Sequence, residues 1–559
     1  MNRMNLTKNI LCHHQGGDIS RKEEKIVYRI VLGLYCIMHL VMTAFHEPWY
    51  DEAEAWQIAR CNSIFDILFT VPHYEGHPPL WHLLLMIPAK VGLPYELSLS
   101  LVSLAFSATA VALFLKYAPF NTWIKVFAPF TYFAFYQYGV ISRPYCMTIL
   151  TMVIISITWQ SRDAKPWRFV LGMAFLCLTT SYGIIIAGGI SIVWLLQIIS
   201  EKKSQFLKDN RTIALIALLV LALLLTAEVM PRHDTSATAG DGFTLVETLY
   251  NLLYTFVMMI PESAITRVIQ YDQGIGYVSS YGLTAMSSAV ILGVVIWGLI
   301  LYYGKSKKTL LWFVVPYALF ASFSSIVYFY AHHIGIGLLV FMFWAWITVQ
   351  SDVEMPDTEI KQATTIISKF LIVLALVVSC FWTISSFALD IRYDYYPSRG
   401  VASFIKENNL DDFKIMTSWR KEVDNDGKID VLDTNFVGAA VGIFPYFEHN
   451  IFYNAHDGLD QLAYDTHKRA TNEENAANLK NWKNAGYPDV LVNAAKPSDV
   501  FENDENLPEY TLVFEQPYSM VWKGTVDMYA STVYVREELR EELGLPEVEK
   551  NLEYYIHMR

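Results

Sequence analysis

The sequence predicts a polytopic α-helical membrane protein with about eleven transmembrane helices and a soluble C-terminal α/β domain. Of its 559 residues 53% are apolar and only 17% are charged, a composition typical of membrane proteins. Apolar runs of about 18 or more residues, each long enough to cross a hydrocarbon core of roughly 30 Å as a helix, recur through residues 1–390 and stop there. Beyond residue 390, short strand-like runs such as "DVLVN" and "STVYV" alternate with helical stretches.

The charge is divided between the same two parts. Residues 1–390 contain 25 Lys and Arg against 24 Asp and Glu, whereas residues 391–559 contain 17 against 30. We therefore expect a membrane domain over 1–390 and an acidic soluble domain over 391–559. No basic patch with interleaved aromatic residues is visible, which argues against nucleic acid as a partner. The six cysteines form no CxxC pair, so we interpret them as apolar fillers.

The apolar runs define the predicted membrane helices in order. The first run has no small-residue cleavage site after it, which favours a retained helix over a signal peptide. The predicted spans are 26–45, 95–116, 123–139, 143–160, 168–183, 185–200, 211–229, 278–303, 309–330, 334–349 and 368–389.

Basic residues cluster in every second loop and set the predicted topology. The clusters are "RKEEK", "SRDAKPWR", "EKKSQFLKDNR" and "GKSKK". By the positive-inside rule these loops face the cytoplasm, so a multi-pass protein of the plasma membrane is predicted, with a cytoplasmic N-terminus and an extracytoplasmic C-terminal domain. Residues 46–94, 230–277 and 330–335 then lie on the external face. Polar residues at membrane level on that face are functional candidates.

The first external loop predicts juxtamembrane helices. Pro48 precedes "YDEAEAWQIAR", which is typical of a short helix, and Pro78 with Pro79 opens a second helix, "LWHLLLMIPAK". The second helix is too short to span the membrane, so we expect it in the interface.

Two acidic motifs flank this loop. In "HEPWYDEAEAW", Asp51, Glu52 and Glu54 have a simple structural explanation, because carboxylates favour the first turn of a helix. A second motif, "HYEGHPPLW", adds Glu75 and His77 at the same face, and the two together indicate a site. A partly desolvated carboxylate can take a proton from a hydroxyl, and a second one nearby raises the pKa of the first or helps bind a divalent metal. Asp51 is the preferred base.

Basic residues on the external face admit two interpretations. Arg143, in "GVISRPYCM", either reaches lipid headgroups or binds a phosphate with its paired donors. His332 and His333, in "YAHHIG", either cap an interfacial turn or donate to a phosphate or a metal. Arg232 lies in a Gly, Ser and Thr-rich loop typical of mobile segments and is the weaker candidate for substrate binding.

"PWYDEAEAW" followed by "YEGHPPLWHLLL" resembles the first external loop of the GT-C membrane glycosyltransferases, in particular the branch of protein O-mannosyltransferases and lipid A aminoarabinose transferases. The "SR" of "VISRPY" is similar to their Ser-Arg at the external start of the fourth span. The resemblance extends over the membrane domain in architecture, and over these motifs alone in sequence. His77 departs from some relatives, and "AHHIG" is only loosely like their late external loop.

The resemblance implies a function and roles for the matching residues. Asp51 would be the catalytic base with Glu52 beside it, Glu75 the second acidic residue, and Arg143 a contact to the phosphate of a polyprenyl-phosphate sugar donor. The reaction would be an inverting transfer to an acceptor hydroxyl on a protein, a lipid or a cell-wall polymer of a bacterial cell envelope. Preorganised cations suit the departing phosphate. Whether a divalent metal takes part stays open.

Two other classes share the helical architecture. A transporter, flippase or polymer-export component would place polar residues near the midplane, often within internal repeats. Here the middle spans are apolar, no repeat is visible and the polar groups gather at one face, which favours the enzyme. An inert receptor or scaffold of the same fold is the third alternative.

One stretch of the C-terminal domain, "EVDNDGKIDVLD", fits the twelve-residue calcium loop. An acidic Asn-Asp-Gly surface turn is the alternative, since position 1 is usually Asp and the preceding "FKIMTS" is typical of a strand. A structural calcium ion is predicted with these ligands, Lys428 contributing its backbone carbonyl: Glu422, Asp424, Asp426, Lys428, Asp430 and Asp433.

Overall fold

The computed structural model of the chain describes residues 21–235, 245, 283–327, 331–356, 358–424, 428–455, 468–493, 495–501, 504–522 and 525–551. Helices make up its N-terminal part, and the strands lie in the C-terminal region, a name used below for residues 391–559. The helices up to the C-terminal region are α1 Arg21–Thr43, α2 Tyr50–Cys61, α3 Ile64–Phe69, α4 Pro72–Glu75, α5 Leu80–Val91, α6 Tyr95–Tyr117, α7 Thr122–Phe127, α8 Tyr145–Thr158, α9 Pro166–Cys177, α10 Ser181–Lys202, α11 Asn210–Val229, α12 Leu283–Ser306, α13 Leu311–Ile326, α14 Ile334–Val349 and α15 Glu359–Arg392.

Five segments of the described chain are long and apolar enough to cross a membrane: Lys22–Thr43, Tyr95–Tyr117, Ser181–Lys208, Asn210–Val229 and Glu359–Arg392. Shorter apolar helices include α8, α9, α13 and α14. Large apolar side chains on α1, α11 and α15 are exposed, as expected of helix faces that meet lipid tails. The number of crossings and their orientation remain predictions.

The predicted span at 123–139 is not a regular α-helix. It divides into α7, a 3₁₀ turn at Ala128–Phe130 and a π-helix at Tyr132–Val140. Pro129 has no N–H to continue the helix. Three residues later, the Tyr132 N–H donates to Ser379 Oγ of α15 at 3.0 Å. An apolar run predicts burial of this segment but not the change of helix type.

The loop between α1 and α6 folds into the expected short helices. These four helices, α2 to α5, belong to residues 46–94, called the first loop below. Their apolar side chains form one buried cluster with residues of α6 and α8. The first loop is therefore fixed against the membrane-type helices.

The C-terminal region is a mixed α/β structure, as the alternation of its sequence predicts. Its four-stranded sheet has the order β1-β4-β6-β5; β1 and β4 are parallel, and the β4–β6 and β6–β5 pairs are antiparallel. A separate hairpin is formed by β2 and β3. The elements are α16 Ser398–Glu407, β1 Ile415–Thr417, β2 Arg420–Val423, β3 Ile429–Asp433, α17 Gly438–Ile443, α18 Asn472–Asn484, β4 Val490–Val492, β5 Tyr510–Trp522, β6 Thr525–Arg536 and α19 Glu537–Leu543.

The C-terminal region contacts the first loop directly. Val441 of α17 joins the buried cluster of the first loop. Arg60, at the end of α2, donates to the Phe447 carbonyl at 2.9 Å. Glu96, at the start of α6, holds Arg399 through two hydrogen bonds of 2.9 Å and accepts another from the Tyr446 hydroxyl at 2.6 Å.

Candidate functional site

The carboxylates of α2 do not form an ordinary solvated helix start. Glu52 and Glu54 are buried, whereas Asp51, which precedes them, is partly exposed. Helix α2 begins after Trp49, whose N–H donates to Glu52 Oε2 at 3.1 Å. These neighbouring carboxylates therefore lie in different environments.

Glu52 belongs to a buried polar network that reaches the last membrane-type helix. His46 bridges two carboxylates, with Nε2 at 3.3 Å from Glu52 Oε2 and Nδ1 at 3.0 Å from Asp390 Oδ2. The Tyr136 hydroxyl donates to Asp390 at 2.7 and 2.8 Å. Burial alone lowers the pKa of His46, but its hydrogen bonds to Asp390 and Glu52 outweigh burial and raise the pKa to about 10. The imidazole is therefore protonated at neutral pH.

The network also fixes the turn that carries Arg143. The Ser142 N–H donates to Glu52 Oε1 at 2.6 Å, so both Glu52 oxygens accept hydrogen bonds within the protein. This geometry favours a structural role for Glu52 over the predicted catalytic one. Sequence reasoning missed His46 and Asp390; the signal was an aspartate within the apolar run of α15, since such residues in membrane helices are expensive without a partner.

Asp51 and Arg143 meet as an ion pair. The Arg143 guanidinium lies 5.6 Å from the ring centroids of both Trp49 and Tyr145, an arrangement that allows cation–π attraction on two sides. The Arg143 side chain is 11% exposed and that of Asp51 is 23% exposed. The preferred base and the predicted phosphate ligand therefore share one partly exposed position at the edge of the first loop.

Three of the predicted histidines lie near this pair. The rings of His332 and His333 are 3.9 Å apart and both lie against Tyr145, at 5.8 and 6.0 Å. Burial lowers the pKa of His333 well below its usual range, and the charges of His332, Arg143 and His77 lower it further. His333 is therefore neutral. Because His77 and Arg143 both act electrostatically on His333, the motifs that contain them lie near the same site.

The remaining predicted site residues lie at the side of this group. Glu75 ends α4 and acts electrostatically on His82. The next residue, Gly76, adopts a left-handed conformation with φ of 65° and accepts a hydrogen bond from the Ser181 hydroxyl. Arg232 is exposed and its guanidinium lies 5.8 Å from the ring of Tyr74, the residue that precedes Glu75.

The predicted calcium ligands form a β-hairpin. Asp426 lies outside the described residues, as do its two neighbours. Strand register sets Asp433 opposite Arg420, about 13 Å along the strand from Asp424 at 3.3 Å per residue. Asp433 Oδ1 accepts from the N–H groups of Asn435 and Ala470, at 3.2 and 3.1 Å. The hairpin does not bring Asp433 together with Asp424.

The other two described ligands of that stretch are placed in the same hairpin. Glu422 pairs with Arg420, its Oε1 at 2.8 Å from a guanidinium nitrogen, and Asp430 is exposed on β3. The Lys428 N–H donates to Asp424 Oδ1 at 2.8 Å. Among the described residues no group of three or more His, Cys, Asp or Glu side chains has an arrangement that could hold a metal ion.

No protein-family model and no curated protein matches the chain. Two cryo-EM structures of the arabinofuranosyltransferase AftD from mycobacteria, one of them a mutant, are similar to it, each at 12% identity. Their TM-scores are 0.38 and 0.40; the matches cover 93% of this chain and 40% and 42% of those chains. The chain thus spans about two fifths of their length. TM-scores this low do not establish a common fold.

Proposed function

We propose that the protein is a membrane glycosyltransferase of the GT-C type that moves a sugar from a polyprenyl-phosphate donor to an acceptor hydroxyl, with inversion at the anomeric carbon. One observation carries the proposal. Asp51 and Arg143, 92 residues apart in the chain, form an ion pair at the edge of a buried aromatic and histidine-lined site. A general base beside a guanidinium that binds anions suits a transfer in which the acceptor hydroxyl loses its proton as the donor sugar loses its phosphate.

The chemistry assigns one task to each partner. The acceptor oxygen attacks the anomeric carbon and forms the new C–O bond as the bond from that carbon to the phosphate oxygen breaks. Asp51 takes the hydroxyl proton, and the lipid phosphate leaves with the electron pair of the broken bond. Arg143 stabilises its charge with paired donors, which match phosphate oxygens better than a point charge does. In this proposal donor phosphate replaces Asp51 as the main partner of Arg143.

The neighbouring side chains have supporting tasks in the proposal. His77, His332 and His333 supply hydrogen-bond donors to the sugar or the phosphate, and Glu75 binds the sugar. Low exposure around the Asp51–Arg143 pair strengthens each of these electrostatic interactions, because the local dielectric is below that of water.

An apolar cavity provides a place for the lipid chain of the donor. It has a volume of about 330 Å³ and is lined almost entirely by apolar side chains of α6, α8, α12, α14, α15 and the π-helix. Tyr138 and Gly335 line it at the end near the histidines, since the Tyr138 hydroxyl donates to the His332 carbonyl. A polyprenyl chain seated there has its phosphate at the same end as Arg143.

The sugar-transfer assay that tests the proposal uses membranes containing the full chain and radiolabelled polyprenyl-phosphate sugars of several kinds. Asp51→Asn is expected to lower transfer by at least ~100-fold, because it removes the general base. Asp66→Asn is the matched control in the same loop, since among the described residues the Asp66 carboxylate accepts hydrogen bonds from Ser63 at its own helix start and from no other residue. The control should transfer at the wild-type rate.

Two outcomes would contradict the proposal in different ways. Equal transfer by wild type and Asp51→Asn would show that another group is the base. Absence of transfer from every donor, together with movement of the intact lipid-linked sugar across the membrane of reconstituted vesicles, would support the transporter alternative.

A further inference from the structure

His46 lies at the centre of contacts that join four separate segments of the chain. Its ring contacts Glu52 of α2 and Asp390 of α15, and Tyr136 of the π-helix binds Asp390. Through Glu52 the contacts continue to the Ser142 N–H, one residue before Arg143. All side chains in this network of contacts are buried. Each member of the proposed catalytic pair is therefore adjacent in sequence to a residue of the network: Asp51 to Glu52, and Arg143 to Ser142.

The charges of the network have a geometric consequence. Two buried carboxylates repel each other, and each is costly to bury without a cation. The protonated His46 ring between them is the only cation that contacts both among the described residues, so its two nitrogens fix where each carboxylate lies. Glu52 then accepts from Trp49 N–H on one side and Ser142 N–H on the other. Movement of the imidazole would release the backbone at both places.

The backbone of His46 is itself held from the C-terminal region. Arg399 approaches the His46 carbonyl at 3.5 Å and Glu47 Oε1 at 3.4 Å, while it binds Glu96 at 2.9 Å. Burial, helped by the charge of Asp394 and opposed by that of Arg399, raises the pKa of Glu47 to about 9, so Glu47 is neutral at neutral pH. His46 thus has fixed contacts on its ring and on its backbone.

We propose that His46 is a positioning residue for sugar transfer: through Glu52 it fixes the start of α2 and the turn at Ser142, and so aligns Asp51 with Arg143. The expected effect of His46 on the rate rests on the proposed function, whereas its expected effect on the structure does not. Small misplacements of reacting groups cost large factors in rate, and partners that orient catalytic groups have effects of ~10–100-fold when removed, as for metal ligands.

The test compares His46→Gln with the exposed His449→Gln in the full chain, purified in detergent. Amide hydrogen exchange over residues 49–53 and 140–145 is the first measurement, and it needs no substrate. His46→Gln should accelerate exchange there by ~10-fold or more, whereas His449→Gln should leave it unchanged. The transfer assay is the second measurement. In it His46→Gln should lower kcat ~10–100-fold and change KM for the donor less than about threefold.

A milder variant guards against simple unfolding. Tyr136→Phe removes the hydroxyl that donates to both oxygens of Asp390 and leaves the charges and the aromatic ring in place. It should give the same effects in smaller degree. Normal exchange at Ser142 and normal kcat in both variants would overturn the inference, as would a fall in kcat without faster exchange. If no donor is transferred by any variant, the proposed function fails while the exchange experiment still decides the positioning role.

Discussion

Two stretches of the molecule, the first loop and the β2–β3 hairpin, both contain several carboxylates but have different structures. In the first loop, charged side chains meet partners that are distant in sequence: Asp51 pairs with Arg143, 92 residues away, and His46 with Asp390, 344 residues away. In the hairpin, Arg420 pairs with Glu422 two residues away and Asp424 accepts from the Lys428 N–H. Acidic residues with long-range partners are held in one arrangement, whereas local pairs only stabilise a turn.

The difference separates a candidate site from a surface feature. Exposed local ion pairs contribute little, with a median of about 0–1 kcal/mol, and impose little geometry. Buried groups with several partners are costly to assemble and lose heavily when one partner is removed. We therefore expect changes in the first loop to have strong effects and changes in the hairpin to have weak ones.

The largest effect is expected at Arg143. Arg143→Gln should lower transfer ~10²–10³-fold, because the departing phosphate loses its main charge partner. Arg143→Lys should recover only part of the rate, since an ammonium restores the charge but not the paired donors. The measurement is kcat and KM for the lipid donor in the transfer assay, with Arg420→Gln in the hairpin as the matched control.

Wild-type rates for Arg143→Gln would contradict the assignment. The Arg143 guanidinium would then be assigned the alternative role that the sequence allows, which is contact with lipid headgroups. A drop of equal size for Arg420→Gln would erase the contrast between the two stretches.

A smaller effect is expected from pH. The folded-state pKa of His46 is raised from 6.5 to about 10, and that of Glu47 from 4.5 to about 9. Both groups bind protons more tightly in the folded state, so each contributes stability that is lost as pH rises, His46 between about 6.5 and 10 and Glu47 between about 4.5 and 9. The melting temperature of the full chain should therefore fall between pH 6.5 and 9.5.

Variants assign that loss to its source. Glu47→Gln should show a smaller fall in melting temperature over the same range, because the amide has no proton to release. The charged and titratable neighbours of His46, namely Glu52, Asp390, Tyr136 and Tyr395, stay in place in that variant. A wild-type melting temperature that rises with pH would contradict the proton linkage.

Much of the helical architecture could be predicted from the sequence, because a run of apolar residues is a local signal. The predicted 334–349 and the observed Ile334–Val349 are the same helix, and the strand-like "DVLVN" contains β4. The interrupted segment around Pro129 was wrongly expected to be one regular helix, since apolar composition does not distinguish α from π geometry.

The candidate site could be predicted only in part. Its motifs gave Asp51, Arg143 and the histidines, and the structure brings these together. Glu52 was expected beside the base as a catalytic group, but its direction is set by His46 and Ser142, and such pairing depends on how distant segments pack. The contact of His46 to Asp390 has the same origin, because no local pattern links the start of the first loop to the end of α15.

The smallest effect is expected from calcium, and it tests the hairpin directly. Calcium at ten times its Kd would add RT ln 11, about 1.4 kcal/mol, to the stability of the C-terminal region. For a unit of that size this is a shift of roughly 3–6 °C in melting temperature. The calcium loop remains a prediction because its central residues are outside the described chain, and Asp433 is already bound by two backbone N–H groups. Melting of the full chain in EDTA and in calcium, with Asp424→Asn as the variant, measures the effect. A shift within this range that Asp424→Asn abolishes would establish a structural ion with ligands drawn from the turn, whereas no shift would leave the stretch as an acidic surface turn.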